Sequence, residues 1–196
     1  NGTNKKNIFP TPVIGGVGLI NKLSKPIGHT FKRDKSAILL IGKTFGHLEQ
    51  SCFLKENYSI VDGMPPEINL LNEKNNGENV LKLIQNNQIL SSHDISNGGL
   101  IVALSEMSMT SNYGVNIAKP KKLTNLFKYF FGEDQGRYLL EIDTKNLASV
   151  ESFLKDNSIY CENIGFTQKN YFEIEGEMKI DIKELFKANN TWYNNY

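Results

Sequence analysis

The chain has 196 residues, 39% of them apolar and 22% charged, which is globular composition with enough length for one full core. With 22 basic against 21 acidic residues the formal net charge is +1, so no overall field gathers the chain onto nucleic acid or an anionic membrane. No run approaches the ~20 apolar residues of a membrane span, and the polar start at residues 1–7 lacks the apolar stretch of a secretory signal. The expected location is cytoplasmic, with neither a membrane nor a nucleic-acid partner. Cys52 and Cys161 lie far apart, without the spacing of a disulfide framework or a zinc site. The first residue is Asn, not Met, which fits a piece of a longer polypeptide.

Val13 to Ile20 is a β-branched run interrupted by glycines, and it predicts a buried strand with close backbone approach. Ser36 to Ile41 predicts a second strand, ended by Gly42. After the Pro65-Pro66 loop, Ile68, Leu71, Val80, Leu83 and Ile84 suggest a packed helix up to Asn86-Asn87, with Gly77 as its weak point or break. Ile89 to Ile95 predicts a short strand, and Leu100, Ala103, Leu104 and Met107 fall at helical spacing from a start near Gly98. A strand at Gly114 to Ala118, a helix at Leu123 to Phe131 and a strand at Arg137 to Ile142 follow. Leu147, Val150, Phe153 and Leu154 mark another helix. Strands at Ile159 to Phe166 and Tyr171 to Ile174 then lead to a closing helix from Ile182 to Ala188. Strands and helices alternate without a repeat, so the expected class is α+β or α/β, a mixed sheet layered with helices.

Gly42-Lys43-Thr44 has the end of a phosphate-binding loop, but the first glycine of that pattern would fall at Ala37, which argues against a nucleotide loop. Gly15-Gly16-Val17-Gly18 lacks the dinucleotide spacing, and its glycines are read as packing. His29, His47 and His93 are dispersed without the spacing of a metal pair, so no metal site is expected.

The segment Ser91-Ser92-His93-Asp94-Ile95-Ser96-Asn97-Gly98-Gly99-Leu100 stands apart. It places a His-Asp pair at a strand's end, a Ser or Asn able to cap the next helix, and two glycines that let a ligand or another backbone approach that helix. Two readings stand side by side: a ligand-lining turn, or a turn in which Ser96 caps, Asp94 bonds locally and the glycines permit tight packing.

Ser92 to Leu100, continued by Val102-Ala103-Leu104-Ser105-Glu106-Met107, resembles a segment in the second half of the phosphoribosylformylglycinamidine synthase large-subunit (PurL) family. Pro10 to Ile20, Gly46 to Ser51 and Phe131 to Tyr138 resemble further stretches of that family in the same order. The resemblance covers roughly residues 1 to 140. It implies a carboxy-terminal domain similar to that of aminoimidazole ribonucleotide synthetase (PurM-like). Residues 1–12 would be the tail of the preceding ATP-site domain and a linker, and residues 13–196 the domain itself. The implied enzyme is a C-N ligase of purine biosynthesis that turns the amide of formylglycinamide ribonucleotide into an amidine, using ATP, Mg²⁺ and glutamine-derived ammonia.

That resemblance places the ATP and Mg²⁺ segments elsewhere in the complete subunit, so neither cofactor is expected within this chain, which alone is expected to be inactive. The implied partners are the preceding ATP-site domain, a glutaminase subunit and a small bridging subunit. His93, Asp94, Ser96, Asn97, Gly98, Gly99, Glu133, Gln135 and Arg137 are expected to line part of a substrate or auxiliary-nucleotide cleft, none of them as a catalytic residue. Arg137 reads equally as a phosphate ligand or as a partner of Glu133 or Asp134. The rival readings are another PurM-like ATP-dependent enzyme and a non-enzymatic protein-binding module.

Overall fold

The run Ala37–Ile41 is apolar at every position because it becomes β1, a strand covered on both faces. Ile38 and Leu40 face one layer of helices, while Ala37, Leu39 and Ile41 face the other. The structure, a computed structural model, describes residues 12–19, 26–121 and 125–194. Around β1 stand β2 (Ser91–Asp94), β3 (Tyr113–Ile117), β4 (Tyr138–Ile142), β5 (Cys161–Lys169), β6 (Tyr171–Ile174) and β7 (Met178–Asp181). The seven strands order as β2-β4-β1-β5-β3-β6-β7. β3 and β6 are parallel, and the remaining neighbours are antiparallel.

Six α-helices accompany the sheet: α1 (Cys52–Tyr58), α2 (Leu70–Gln85), α3 (Gly99–Met109), α4 (Leu126–Phe131), α5 (Leu147–Asp156) and α6 (Ile182–Asn194). Leu100, Leu104 and Met107 of α3, Phe130 of α4 and Leu185 of α6 pack against Ile38, Leu40 and Leu139. On the opposite face, Val80 and Leu83 of α2 and Val150 and Leu154 of α5 cover Leu39, Ile41, Leu140 and Ile142. Each fully buried Leu or Ile contributes about 1.5–3 kcal/mol, so the two layers together fix which side of the sheet each helix occupies.

The mixed sheet with helices on both faces is the expected class. Gly77 sits inside α2 without breaking it. Two elements were not anticipated. The seven-residue α1 is too short for an apolar period and starts on Ser51, whose hydroxyl accepts from Leu54 N. The four-residue β7 has only exposed and half-buried residues.

One expectation fails. Residues 13–19 form no strand, and Val13, Ile14, Val17 and Leu19 are 90% or more exposed. The sheet ends at β2 and β7, and the β-branched run over 13–19 pairs with neither edge strand. Ile20 and residues 1–11, the larger part of the expected tail, lie outside the described residues, as do 122–124 at the start of the expected Leu123 to Phe131 helix.

Glu141 shows how the edge of the sheet is tied. It is fully buried on β4 and accepts from Ser91 Oγ at 2.7 Å, from Lys32 N at 2.9 and 3.1 Å, and from Arg33 N at 3.0 Å. These donors offset the cost of burying a carboxylate and hold the approach to β1 against β2 and β4.

Candidate functional site

β1 and β2 end, and β4 and β5 begin, at one edge of the sheet: Ile41 pairs with Tyr138 and Cys161, and Asp94 pairs with Tyr138. Three connections meet there, the 42–47 loop after β1, the 95–98 turn between β2 and α3, and the 132–137 turn before β4. The amino-terminal half of α2 lies beside them.

The 132–137 turn is wired by charges turned inward. Asp134, 5% exposed, accepts from the backbone N–H groups of Phe45 (3.0 Å), Gly46 (2.9 Å) and His47 (3.2 Å), and so shapes the 42–47 loop. Arg137, 1% exposed, donates to Gly132 O at 2.6 Å, Asp134 O at 3.1 Å and Thr44 Oγ1 at 3.1 Å. Its terminal nitrogen is 4.0 Å from the Asp134 carboxylate. Burial pulls the guanidinium below its ordinary value, and the Asp134 and Tyr129 charges act against that. Arg137 is thus a clamp that ties its own turn to the 42–47 loop, with three donors directed at two carbonyls and the Thr44 hydroxyl.

Glu133 joins two helix starts. Its Oε1 accepts from Cys52 N at 2.8 Å and from Gly98 N at 2.7 Å, which puts one carboxylate at the first turn of both α1 and α3. Burial first, and then the Glu133 charge and hydrogen bond, raise the Cys52 thiol above its ordinary value. Ser96 and Asn97, expected as possible caps, do not cap α3: Gly98 holds the cap position without a side-chain bond, and Glu133 supplies the acceptor from a distance in sequence.

Gly99 settles which partner approaches its helix. Its φ is +73°, and a Cβ there would lie 2.6 Å from Gly132 O and 2.8 Å from Phe130 O. The close neighbour is therefore the end of α4, not an open ligand position.

His93 is engaged by α3 and by its own neighbours. Its Nε2 lies 2.9 Å from Glu106 of α3, its Nδ1 lies 3.3 Å from Asp94, and its ring stands 5.3 Å from that of His29. The Glu106 partner stands 13 residues later, and no local pattern announces it.

Two clefts open at this edge. The smaller, about 360 Å³, is lined by Asp94, Ser96, Asn97, Glu133, Gln135 and Arg137, together with Glu73 and Tyr138. The larger, about 560 Å³, lies between the 42–47 loop and α2, where Asn69, Asn72, Glu73 and Asn76 face it. Gln135, Gly136 and Glu73 border both. Of the nine expected cleft residues, the geometry brings six to the smaller cleft, while His93, Gly98 and Gly99 do not line it. Burial, and then the carboxylates of Glu73 and Asp94, raise the Tyr138 phenol above its ordinary value.

The polar wall of α2 was missed. Its signal is present in the sequence: Asn69, Asn72, Glu73 and Asn76 recur at i, i+3, i+4 and i+7, where a wholly core-facing helix would carry apolar residues.

Arg137 is engaged internally, Lys43 is the one lysine or arginine lining the larger cleft, and no group of three His, Cys, Asp or Glu among the described residues is placed to hold a metal ion. No helix among them is long and apolar enough to cross a membrane.

Comparison with known proteins agrees with this architecture. The phosphoribosylformylglycinamidine synthase subunit PurL of Pelagibacter ubique is 43% identical over all 196 residues, and that of Rhodopseudomonas palustris strain HaA2 is 40% identical. The chain spans 27% of the length of each. Among solved structures, Thermotoga maritima PurL complexed with ATP matches with a TM-score of 0.63 at 13% identity, over 82% of this chain and 27% of that one. Escherichia coli HypE, a hydrogenase maturation protein, matches with a TM-score of 0.56 at 15% identity, over 79% and 51%. At these identities the structural likeness concerns the fold alone. The family described as AIR synthase related protein, C-terminal domain, matches residues 36–174, from just before β1 to the end of β6, and the chain belongs to that family.

Proposed function

We propose that this chain is the carboxy-terminal domain of the second half of a phosphoribosylformylglycinamidine synthase large subunit. The observation that carries the reading is identity of 43% to a PurL relative along the whole chain, including residues outside the 36–174 family match. The complete enzyme would be an ATP-dependent C-N ligase of purine biosynthesis in the cytoplasm, with glutamine as the nitrogen source. ATP and Mg²⁺ would be held by other domains, in keeping with the internally engaged Arg137 and the acidic clefts here. Residues 1–12 would be the tail of the preceding ATP-site domain and a linker, and residues from 13 the carboxy-terminal unit, whose sheet starts at Ala37.

In this reading the edge formed by Asp94, Ser96, Asn97, Glu133, Gln135 and Arg137 supports a substrate or auxiliary-nucleotide cleft completed by the neighbouring ATP-site domain. A glutaminase subunit and a small bridging subunit are the further partners; one related structure is described as PurLQS from Thermotoga maritima. Other PurM-like enzymes share the fold, as HypE does, but the full-length identity favours the synthase.

The test is an assay of the full-length gene product and of the 196-residue chain with formylglycinamide ribonucleotide, ATP, Mg²⁺ and ammonia. The full-length protein is expected to form the amidine, and the chain alone is expected to show none. A full-length protein that leaves the ribonucleotide unchanged, or a chain that turns over by itself, overturns the proposal.

A further inference from the structure

The helix layer formed by α2 and α5 covers only part of its sheet face. None of its buried residues comes from β3, β6 or β7, so it leaves the β5-β3-β6 half of that face open. Side chains alternate across a sheet, and Phe166 of β5, paired with Ala37 and Asn116, falls on the open half together with Tyr171 of β6. The two rings are 44% and 41% exposed.

A groove of about 420 Å³ lies here, between the start of α5 and the strands β5 and β3. That volume is within the ~300–1,000 Å³ range of small-molecule sites. The groove adjoins Ala37, at the opposite end of β1 from Ile41, and shares no lining residue with either cleft. β5 bends at this place: its pairing with β1 slips between Ile38 and Leu39, which leaves Ile164 as an extra residue. Gly165 lets β3 close against the bend, since a Cβ there would lie 2.0 Å from Asn116 O.

Two acceptors of the groove have no donor. Asn116 is half-buried on β3, and its Oδ1 is buried without a hydrogen-bond partner among the described residues. An acceptor held in that state is costly and calls for an N–H or O–H group. Glu175 follows β6; its neighbours Glu173 and Glu177 pair with Lys179 and Lys119, whereas its own carboxylate makes no ion pair among the described residues. No lysine or arginine lines the groove, and Ala37, Ala118 and Leu147 add apolar surface beside the Phe166 ring. An uncharged acceptor, a carboxylate and an aromatic face together match a planar, delocalised cation with several N–H donors in one plane.

We propose that this groove binds a small amidinium or guanidinium compound with an apolar body, its N–H groups on Asn116 Oδ1 and the Glu175 carboxylate and its plane against Phe166. Glu175 selects for the charge, and Ala37, Ala118 and Leu147 select for the apolar body. The site goes beyond the assignment of the chain as a synthase domain and does not depend on it.

The experiment titrates benzamidine, its neutral analogue benzamide and N-acetylarginine amide into the full-length protein, followed by ligand-observed NMR. Benzamidine is expected to bind with a dissociation constant on the order of 1 mM. Benzamide should bind about tenfold more weakly because it lacks the charge that meets Glu175. Glu175→Gln should weaken benzamidine about tenfold and leave benzamide unchanged. Asn116→Leu should weaken both without lowering the melting temperature, since its Oδ1 has no partner to lose. ATP and formylglycinamide ribonucleotide should leave benzamidine binding unchanged.

Benzamide binding as tightly as benzamidine, the arginine amide binding more tightly than benzamidine, or displacement of benzamidine by ATP or the ribonucleotide overturns the proposal. Binding that is insensitive to both substitutions, or no binding at all, also overturns it. None of these readouts is amidine formation, so a synthase that turns over without binding benzamidine refutes the groove and leaves the enzyme assignment standing.

Discussion

The two turns that face each other across the smaller cleft are built in opposite ways. In the 132–137 turn, Asp134 and Arg137 are buried and engage backbone groups, and Glu133 reaches away to two helix starts. In the 94–99 turn, Asp94, Ser96 and Asn97 are exposed, and the glycines carry the packing. Of the charged residues lining the cleft, Glu133 and Arg137 are therefore architecture, whereas Asp94 and Glu73 remain exposed or half-buried beside the polar Ser96 and Asn97. Charge alone, read from sequence, does not tell which of these residues turn inward.

Removing Arg137 is the most severe way to break this comparison. Arg137→Leu strips donors from Gly132 O, Asp134 O and Thr44 Oγ1 and leaves Asp134 buried without its neighbouring cation. The expected loss is about 3–5 kcal/mol in urea unfolding, a large part of the ~5–15 kcal/mol of a typical domain. Arg137→Lys should recover only a fraction, because a point-like ammonium does not reproduce the separated Nε, Nη1 and Nη2 donors of the guanidinium fork. A loss below about 1 kcal/mol would mean that Arg137 is not the clamp described here.

Glu133 comes next. Glu133→Ala leaves the N–H groups of Cys52 and Gly98 without their acceptor, for an expected cost of about 1–3 kcal/mol. Glu133→Gln keeps an oxygen in place and should cost less. The same change has a chemical signature: the Cys52 thiol loses a neighbouring negative charge that holds it up, so its thiolate fraction rises. Alkylation of Cys52 at pH 8 is expected to accelerate in Glu133→Ala. A stability loss without a change in thiol reactivity would place the effect elsewhere.

The fold was largely legible because β1, β4 and α3 carry unbroken or periodic apolar runs that burial on two faces requires. Elements short of that signal, α1 and β7, were invisible. Val13 to Ile20 misled for the converse reason: β propensity describes a residue that fits a pleated surface, and residues 13–19 have no such surface here. At the site, the Ser92-to-Gly99 and Glu133-to-Arg137 segments declared themselves as motifs, but the direction of each side chain did not. Whether Arg137 binds outward or inward depends on Thr44, 93 positions earlier, and whether His93 faces the cleft depends on Glu106. Such partners are chosen by the sheet and not by local spacing.

His93 and Asp94 give the smallest expected effect and the sharpest comparison with Arg137. The Glu106 contact joins an 18% exposed imidazole to a 49% exposed carboxylate, and the Asp94 side chain is 70% exposed. Pairs at that level of solvation contribute about 0.2–1 kcal/mol, and the longer 3.3 Å approach to Asp94 contributes less. His93→Ala also gives up the ring packing on His29, so a loss of about 1 kcal/mol is expected, against several for Arg137→Leu. Asp94→Asn should be close to neutral for folding. In the full-length enzyme, both variants should keep turnover within about tenfold per folded molecule, because the His93 ring is engaged by Glu106 and Asp94 is proposed to line the cleft without a catalytic role. Paired urea titrations and rate measurements decide the matter. If His93→Ala folds normally yet loses on the order of a thousandfold in rate, the imidazole takes part in proton transfer and the division between architecture and ligand contact at this edge is wrong.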